Sequence, residues 1–328
     1  MVISRTPLRI SFVGGGTDLP SFAREHGGAV VSTTIDKYVY VVVTERFEND
    51  LRIAYSRTEI RERLDDVEHE LIREALRMAG LPRGIEIVTI ADVPSHGTGL
   101  GSSSAVTVGA LNALFAYQGI LKSAAELAAM AAEIEIEVLG KPIGRQDQYA
   151  TAFGGLQLLR FGPGDQVSRR PVIVPDPVAR SLERNLMMFY TGRQRSASEL
   201  LGAVGTTIER DGGAQEDLAH MRDLAIELFQ HLGNGSSPDL VGEALHRNWE
   251  LKRRLHPGIA DSEIDRWYEA AREAGAMGGK LLGAGAGGFL LFYACPDDQP
   301  AVRRALRDLR ELPFRFEREG SRISHVSQ

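Results

Sequence analysis

The sequence predicts two α+β lobes rather than a regular array of parallel strands and crossover helices. Three observations lead there. The first half mixes β-branched runs with amphipathic helical stretches. The second half is mostly helical, with single strands near its beginning and its end. Between them, residues 162–176 gather Gly, Pro and charge, which marks a boundary. The expected domains are 1–165 and 166–328, and 328 residues are enough for one large domain or two ordinary ones.

Taken in order, residues 8–13, 37–43, 85–90 and 156–161 are rich in β-branched and aromatic side chains and read as strands. Residues 68–78 read as a helix stopped by Gly80 and Pro82. Residues 102–117 read as a buried helix opened by serines and carrying Val106, Leu111, Leu114 and Phe115. Residues 124–139 form a second helix, whose stripe is Leu127, Met130, Ala131, Ile134 and Val138. Ser123 with Glu126 three residues on is a capping box, and Gly140 and Pro142 stop the helix. Beyond the boundary, 186–190 is a strand and 196–274 is mostly helical, broken at 231–239. A late strand, 288–294, follows a glycine-rich loop and precedes a helix over 301–310. His246, Asn248 and Lys252 in the helical stretch read as structural.

Composition narrows the function. Hydrophobic residues make up 43% and charged residues 25%, as in soluble globular proteins, and the net charge is -6. There is no long basic run and no aromatic-plus-Arg cluster, so a nucleic-acid partner is not expected. The apolar runs are too short to span a bilayer and the first residues lack a signal-peptide pattern, so a membrane is not expected either. The single Cys295 ends an apolar run and reads as packing; lacking an intrachain partner, it fits a reducing cytoplasm. The eight histidines show no metal-ligand spacing.

The densest chemical signal is residues 94–105, PSHGTGLGSSSA, placed after a strand and at the start of a helix. Gly97, Gly99 and Gly101 let the backbone approach a phosphate closely. The helix start adds unpaired N–H groups and a positive dipole end. Ser102, Ser103 and Ser104 add hydroxyls for a phosphate or a metal ion, and Thr98 and Leu100 complete the cradle. A turn and cap alone would need one glycine and one serine. A P-loop is excluded because Gly279-Lys280 is followed by Leu281, not by a hydroxyl. A dinucleotide fingerprint is excluded by the glycine spacing and by the second helix that follows the first. The cradle therefore predicts an anion, such as a phosphate group, as the ligand. Transfer of such a phosphoryl group would also need positioning, charge stabilisation and a proton acceptor. Asp147, in the glycine- and proline-rich run 140–147, is the candidate acceptor, against a bland role as a turn or cap residue.

PSHGTGLGSSSA resembles the second motif of the GHMP kinases, the family of galactokinase, homoserine kinase, mevalonate kinase and phosphomevalonate kinase. TPLRISFVGGGTD at 6–18 resembles its N-terminal motif, and KLLGAGAGG at 280–288 its C-terminal one. The resemblance implies a ribosomal protein S5 domain 2-like first lobe and a ferredoxin-like α+β second lobe. It places Asp147 on the Asp of G-x-P-x-G-x-x-D, beside the reacting hydroxyl. It implies Mg²⁺ held by Glu135, twelve residues before Asp147, and by the hydroxyl of Ser103, with Ser102 and Ser104 as neighbours and Glu133 as fallback. It implies that Arg9 sits near the transferring phosphate and that Asp18 binds sugar hydroxyls. This chain has Gly14-Gly15-Gly16 where galactokinase has Gly-Glu-His, so galactose is not the default substrate. Gly15 and Gly16 instead make room for a bulkier sugar or offer it N–H groups. Gly285 lies in the loop expected to close on the ligands.

Four segments, at 14–41, 141–155, 189–201 and 278–293, resemble the D-glycero-D-manno-heptose 7-phosphate kinases. That resemblance implies phosphorylation of the anomeric hydroxyl, giving a 1,7-bisphosphate, in the cytoplasmic supply of GDP-heptose for surface polysaccharide such as capsule. A sugar phosphate needs a second anion site. Arg193 and Arg195 are the candidates, with Lys141 and Arg145 as alternatives. Other readings are a fucokinase-like or hexosamine 1-kinase, or a non-catalytic sensor of ATP and sugar.

Overall fold

The fold was analysed on a computed structural model that describes residues 1–94, 97–193 and 197–327. The first lobe runs β1 (Val2–Val13), α1 (Pro20–His26), β2 (Gly28–Glu45), β3 (Leu51–Ala54), β4 (Thr58–Arg61), α2 (Glu70–Ala79), β5 (Ile85–Ala91), α3 (Ser102–Tyr117), α4 (Ala124–Ala132), α5 (Gln146–Phe153), β6 (Gln157–Phe161) and β7 (Val167–Pro171). The chain then continues through α6 (Asp176–Asn185), β8 (Leu186–Tyr190), α7 (Ala197–Arg210), α8 (Gly212–Gly233), α9 (Asp239–Arg254), α10 (Ser262–Glu273), β9 (Gly278–Leu281), β10 (Phe289–Tyr293), α11 (Gln299–Ala305), β11 (Arg310–Glu311), β12 (Phe316–Glu317) and β13 (Arg322–Val326).

Two sheets organise these elements, giving the expected two α+β lobes. The larger has the order β13-β1-β2-β5-β3-β4, and the smaller β11-β8-β10-β9. β2 is long enough to serve three partners on one edge. Its first residues pair with β6, Thr34 and Ile35 with β12, and its last with β5, while β1 covers most of its length on the other edge. The β1–β2 register shifts between Pro7 and Leu8 and again between Ser11 and Val13. Such bulges bend a strand and re-aim its side chains, and Pro7 is tolerated at one because that position need not donate to the ladder. Arg9 lies between the two shifts.

α3 matches its expected bounds. It is buried nearly all round, because the sheet lies on one side and α2 and α4 cover others. Ser123 caps α4 with the full capping box: Glu126 N–H donates to its hydroxyl, and the Glu126 carboxylate accepts from Ser123 N–H at 2.9 Å. The expected helix over 124–139 is α4 continued by a π-turn at Glu133–Val138. Such turns occur often at functional sites. The helical stretch resolves into α7 to α10, and its break falls between α8 and α9 as expected. The late helix is shorter than expected and ends at Ala305. The run around Asp147 is not loop throughout; Asp147 sits in the first turn of α5.

Several elements were not read from the sequence. α1 and the β3–β4 hairpin are short and charged. β12 and β13 are polar segments that gain strand form only by pairing with β2 and β1. The last residues of the chain therefore complete the sheet of the first lobe.

α8 and α9 tie the lobes together. Leu224 and Leu228 of α8, with Val241 and Leu245 of α9, join the core beneath the large sheet. Leu218 and Met221 of α8, with Trp249 of α9, join the second core beside Phe189 and Phe292. α9 therefore crosses the seam between Leu245 and Trp249. Leu245→Ala should cost about 2–5 kcal/mol of stability, the usual range for a buried leucine. Because α9 belongs to both cores, thermal melting should remain a single transition at lower temperature. A two-step melt would show lobes that unfold independently.

Candidate active site

The glycine-rich run sits at the seam. Gly97, Gly99 and Gly101 all have positive φ, so the chain alternates in handedness as it approaches α3. At Gly99 a Cβ would lie 2.4 Å from the Leu282 carbonyl, so only glycine lets the loop pass the C-terminal glycine segment. Leu100 is fully buried and its carbonyl accepts from Arg9 N–H at 3.0 Å. Thr98 and Ser102 share a hydroxyl contact at 3.1 Å.

Arg9 is the hub. It is 4% exposed. Its Nε and Nη2 donate to the two carboxylate oxygens of Asp147, each at 2.7 Å, and its Nη1 donates to the Gly99 carbonyl. This bidentate fork fixes both partners. It brings β1, the glycine loop and the first turn of α5 to one point.

Asp18 stands next to it. Its carboxylate accepts from Gly16 N–H, from Gln146 N–H and from the Gln146 side chain at 2.8 Å. Gly144 is packed so closely that a Cβ there would fall 1.9 Å from Asp18 Oδ2. Burial, reinforced by the charge of Asp147, pushes the Asp18 carboxyl up to about 6. The bonds from Gln146 and Gly16 oppose that rise.

Glu135 is fully buried in the π-turn, whereas Glu137 and the fallback ligand Glu133 are exposed. Its Oε2 accepts from the Ser104 hydroxyl at 3.3 Å, and among the described residues its Oε1 has no partner within hydrogen-bond distance, although the Gln148 side chain stands near enough to favour the charged form. Burial pushes it up to about 7, against the pull of Lys141. Ser104 therefore holds the hydroxyl nearest Glu135; Ser103 is the exposed serine on the cavity wall. One buried carboxylate oxygen without a partner, next to hydroxyls, suits Mg²⁺. That ion takes one or two carboxylates and fills its remaining positions from water and substrate phosphates. No group of three or more His, Cys, Asp or Glu among the described residues makes an all-protein cage.

A cavity of about 340 Å³ joins these parts. Its wall includes Arg9, Asp18, Asp147, Gly15, Gly16, the cradle and the serines, together with Lys252 and Lys280 from the second lobe. The two lysines are what sequence reading missed. Lys252 has a faint signal: it lies at helical spacing from the apolar Val241 and Leu245, on the face of α9 that also carries Asn248, where a charge is out of place. Lys280 belongs to the third motif but showed no separate sign of a role. Asn248 was likewise missed, and its side-chain oxygen accepts from Gly14 N–H at 2.8 Å.

Other expected residues are not brought to this cavity. Arg193 pairs with Asp261 at 2.6 Å and with Glu263 at 3.2 Å and is absent from the cavity wall. Gly285 is packed against Ile259, and its neighbours Gly283 and Ala284 line the cavity instead. Lys141 lines the cavity but pairs with Glu70, and Arg145 pairs with Glu137 and Asp165. Arg195 lies outside the described residues.

The pattern of a glycine cradle, a seam between two α+β lobes and an Arg–Asp fork defines a GHMP kinase. The model of the GHMP kinases N terminal domain matches residues 67–155, and that of the GHMP kinases C terminal domain matches 225–312. The chain belongs to the GHMP kinases and is an ATP-dependent kinase. It is 30% identical to a D-glycero-alpha-D-manno-heptose 7-phosphate kinase of Campylobacter jejuni, over 97% of each chain. It is 26% identical to a bifunctional fucokinase/GDP-fucose pyrophosphorylase of Arabidopsis thaliana, over 88% of this chain and 29% of that one. A crystal structure described as a D-glycero-D-manno-heptose 1-phosphate kinase from Bacteroides thetaiotaomicron superposes over the full length of both chains, with TM-score 0.81 and 27% identity. No helix among the described residues is long and apolar enough to cross a membrane.

The raised Asp18 gives a signed prediction. A carboxyl whose folded value lies above its unfolded value stabilises the fold only while it is protonated. That contribution is complete below pH 3.8 and is lost as pH rises through about 6. Asp18→Asn cannot ionise. Without ligands, the melting temperature of the wild type should therefore fall relative to Asp18→Asn between pH 4 and pH 7. Parallel curves would show that Asp18 is not destabilised by burial.

Proposed function

We propose that this kinase transfers the γ-phosphoryl group of ATP to the anomeric hydroxyl of D-glycero-D-manno-heptose 7-phosphate, in the supply of nucleotide-activated heptose for surface polysaccharide. The observation that carries the reading is the Arg9–Asp147 fork set between the glycine cradle and Asp18. A cation, a proton acceptor and a sugar-hydroxyl acceptor lie side by side, as phosphoryl transfer to a sugar requires.

The geometry supports the following roles. Residues 97–104 cradle the nucleotide phosphates with N–H groups and hydroxyls. Asp147 takes the proton of the acceptor hydroxyl; an anomeric hydroxyl is more acidic than an ordinary alcohol, so a carboxylate suffices. Arg9 spans from Asp147 to the Gly99 carbonyl, and so stands beside the charge that develops on the transferred group. Asp18 orients sugar hydroxyls, with Gly15 and Gly16 leaving space for the sugar. Glu135 with Ser103 or Ser104 would hold Mg²⁺, which neutralises phosphate charge when bound. The acceptor's own phosphate falls to Arg195; Arg193 is already engaged by two carboxylates.

The choice of heptose is supported by the full-length match to a relative of that name. The fucokinase match covers only part of a longer protein and names an unphosphorylated sugar. The two heptose relatives are named for phosphates at different carbons. A coupled ADP-release assay with heptose, its 1-phosphate, its 7-phosphate and L-fucose separates these readings. Turnover should require the 7-phosphate, and turnover of L-fucose at equal efficiency would favour a fucokinase. ATP binding with no turnover on a broad panel would favour a sensor.

Asp147→Asn should lower kcat by about 10²–10⁴-fold, the usual contribution of a general base, with ATP affinity nearly unchanged. Normal turnover would remove Asp147 from that role. Arg195→Ala should raise KM for the sugar phosphate more than KM for ATP, and an unchanged sugar KM would move the acceptor phosphate elsewhere.

A further inference from the structure

Two lysines are buried in the wall of the active-site cavity. Lys252 is 7% exposed and Lys280 1%. Each ammonium carries three donors. Lys252 Nζ donates to the Gly283 carbonyl, and Lys280 Nζ donates to the Phe12 carbonyl at 3.1 Å. Among the described residues, neither makes an ion pair with a carboxylate. A buried charge without a counter-charge costs several kcal/mol, so two of them side by side need an account. Burial holds Lys252 down to about 8, with the charge of Arg9 adding to the effect. Lys280 is held well below the ordinary lysine range by burial, by Lys252 and by Arg9.

Position says what would complete them. Lys252 comes from α9, at the seam, one turn beyond Asn248, which is tied to the turn at Gly14. The charges that act on it are Arg9 from β1, Asp18 from the turn after β1, and Asp147 from α5. It acts in turn on Lys280 from β9. Its hydrogen-bond partner Gly283 touches Gly99 of the cradle. Lys252 therefore lines the same cavity as the cradle, Arg9 and Asp147, and reaches it from α9.

We propose that Lys252 is a second cation, with Arg9, on the phosphoryl group as it passes from ATP to the acceptor. Lys280 is a positioning residue, which ties β9 to β1 through the Phe12 carbonyl beside Lys252. In the step, a bond forms between the acceptor oxygen and the γ-phosphorus as the bond from that phosphorus to the bridging oxygen of ADP breaks. The acceptor proton goes to Asp147. Lys252 remains an ammonium and transfers no proton. The proposal rests on the kinase chemistry of the family and not on which sugar is the acceptor.

The test begins with Mg²⁺ and ATP alone, so that a wrong sugar leaves it readable. At pH 8 a fraction of Lys252 is neutral in the free enzyme, and an arriving phosphate favours its charged form. Asp18 and Glu135 are ionised at that pH and contribute little. Titration calorimetry in two buffers of different ionisation enthalpy should show net proton uptake for the wild type. Lys252→Met and Lys252→Arg should show clearly less, since the first has no charge and the second does not titrate, the remainder being what Lys280 takes up. With the acceptor that the panel above selects, Lys252→Met should lower kcat on the order of 10²-fold, as loss of one transition-state donor does. Lys252→Arg should recover about tenfold of that loss, and the alkaline limb of the wild-type rate near pH 8 should vanish in it. Lys252→Arg keeps the charge and guards against a methionine variant that fails to fold. Undiminished proton uptake in Lys252→Arg, or a folded Lys252→Met with kcat within about threefold of the wild type, overturns the proposal.

Discussion

Arg9 carries a guanidinium that is almost wholly withdrawn from water, and the arrangement of the active site follows from how that charge is satisfied. A buried cation is tolerated only when it is paired and hydrogen-bonded. Asp147 supplies the pair and Gly99 the further acceptor. To meet Arg9, α5 must present its first turn to β1, and the glycine loop must turn a carbonyl inward. The same contact sets the glycine loop, Asp147 and the neighbouring Asp18 in fixed relation to one another. Phosphoryl transfer depends on in-line positioning, so this contact does the geometric work of the enzyme.

Around that fork the site collects more charge than it neutralises by itself. Arg9, Lys252 and Lys280 face Asp18 and Asp147, while Glu135 sits apart with a free oxygen. Burial drives each unpaired group toward its neutral form: Asp18 and Glu135 upward, Lys252 and Lys280 downward. Such displacement in opposite directions is a mark of sites built for ligands that bring their own charge. Nucleotide phosphates and a divalent cation are ligands of that kind, and their charges would offset those of the site.

Much of the site was legible in the sequence. The cradle was readable because closely spaced glycines followed by serines have few structural uses. The helices α3 and α4 were readable from their apolar spacing, and the capping box at Ser123 from local chemistry. Asp147 was legible as an outlier in a loop-forming run, although it proved to lie in a helical turn. Arg193 was misleading, because a cation beside a glycine turn looks the same whether it awaits a phosphate or already holds Asp261 and Glu263. Lys252 and Lys280 were hidden for the opposite reason. Lysine is common on helix surfaces, so the place of Lys252 on the inner stripe of α9 is only a faint sign, and nothing local shows that Lys280 in β9 is inside.

By itself the sequence determined the local elements: where backbone must bend, where a helix must start, and which run can approach a phosphate. Those properties depend on a few neighbouring residues. The tertiary structure alone decided which charges meet. Arg9 and Asp147 are brought together by a bulged strand and a helix turn, Asp18 is clasped by Gln146, and α9 crosses the seam to carry Lys252 into the first lobe's site. Long-range pairing and burial are properties of the packed chain, and they set which ionisable side chains serve the reaction and which only face water.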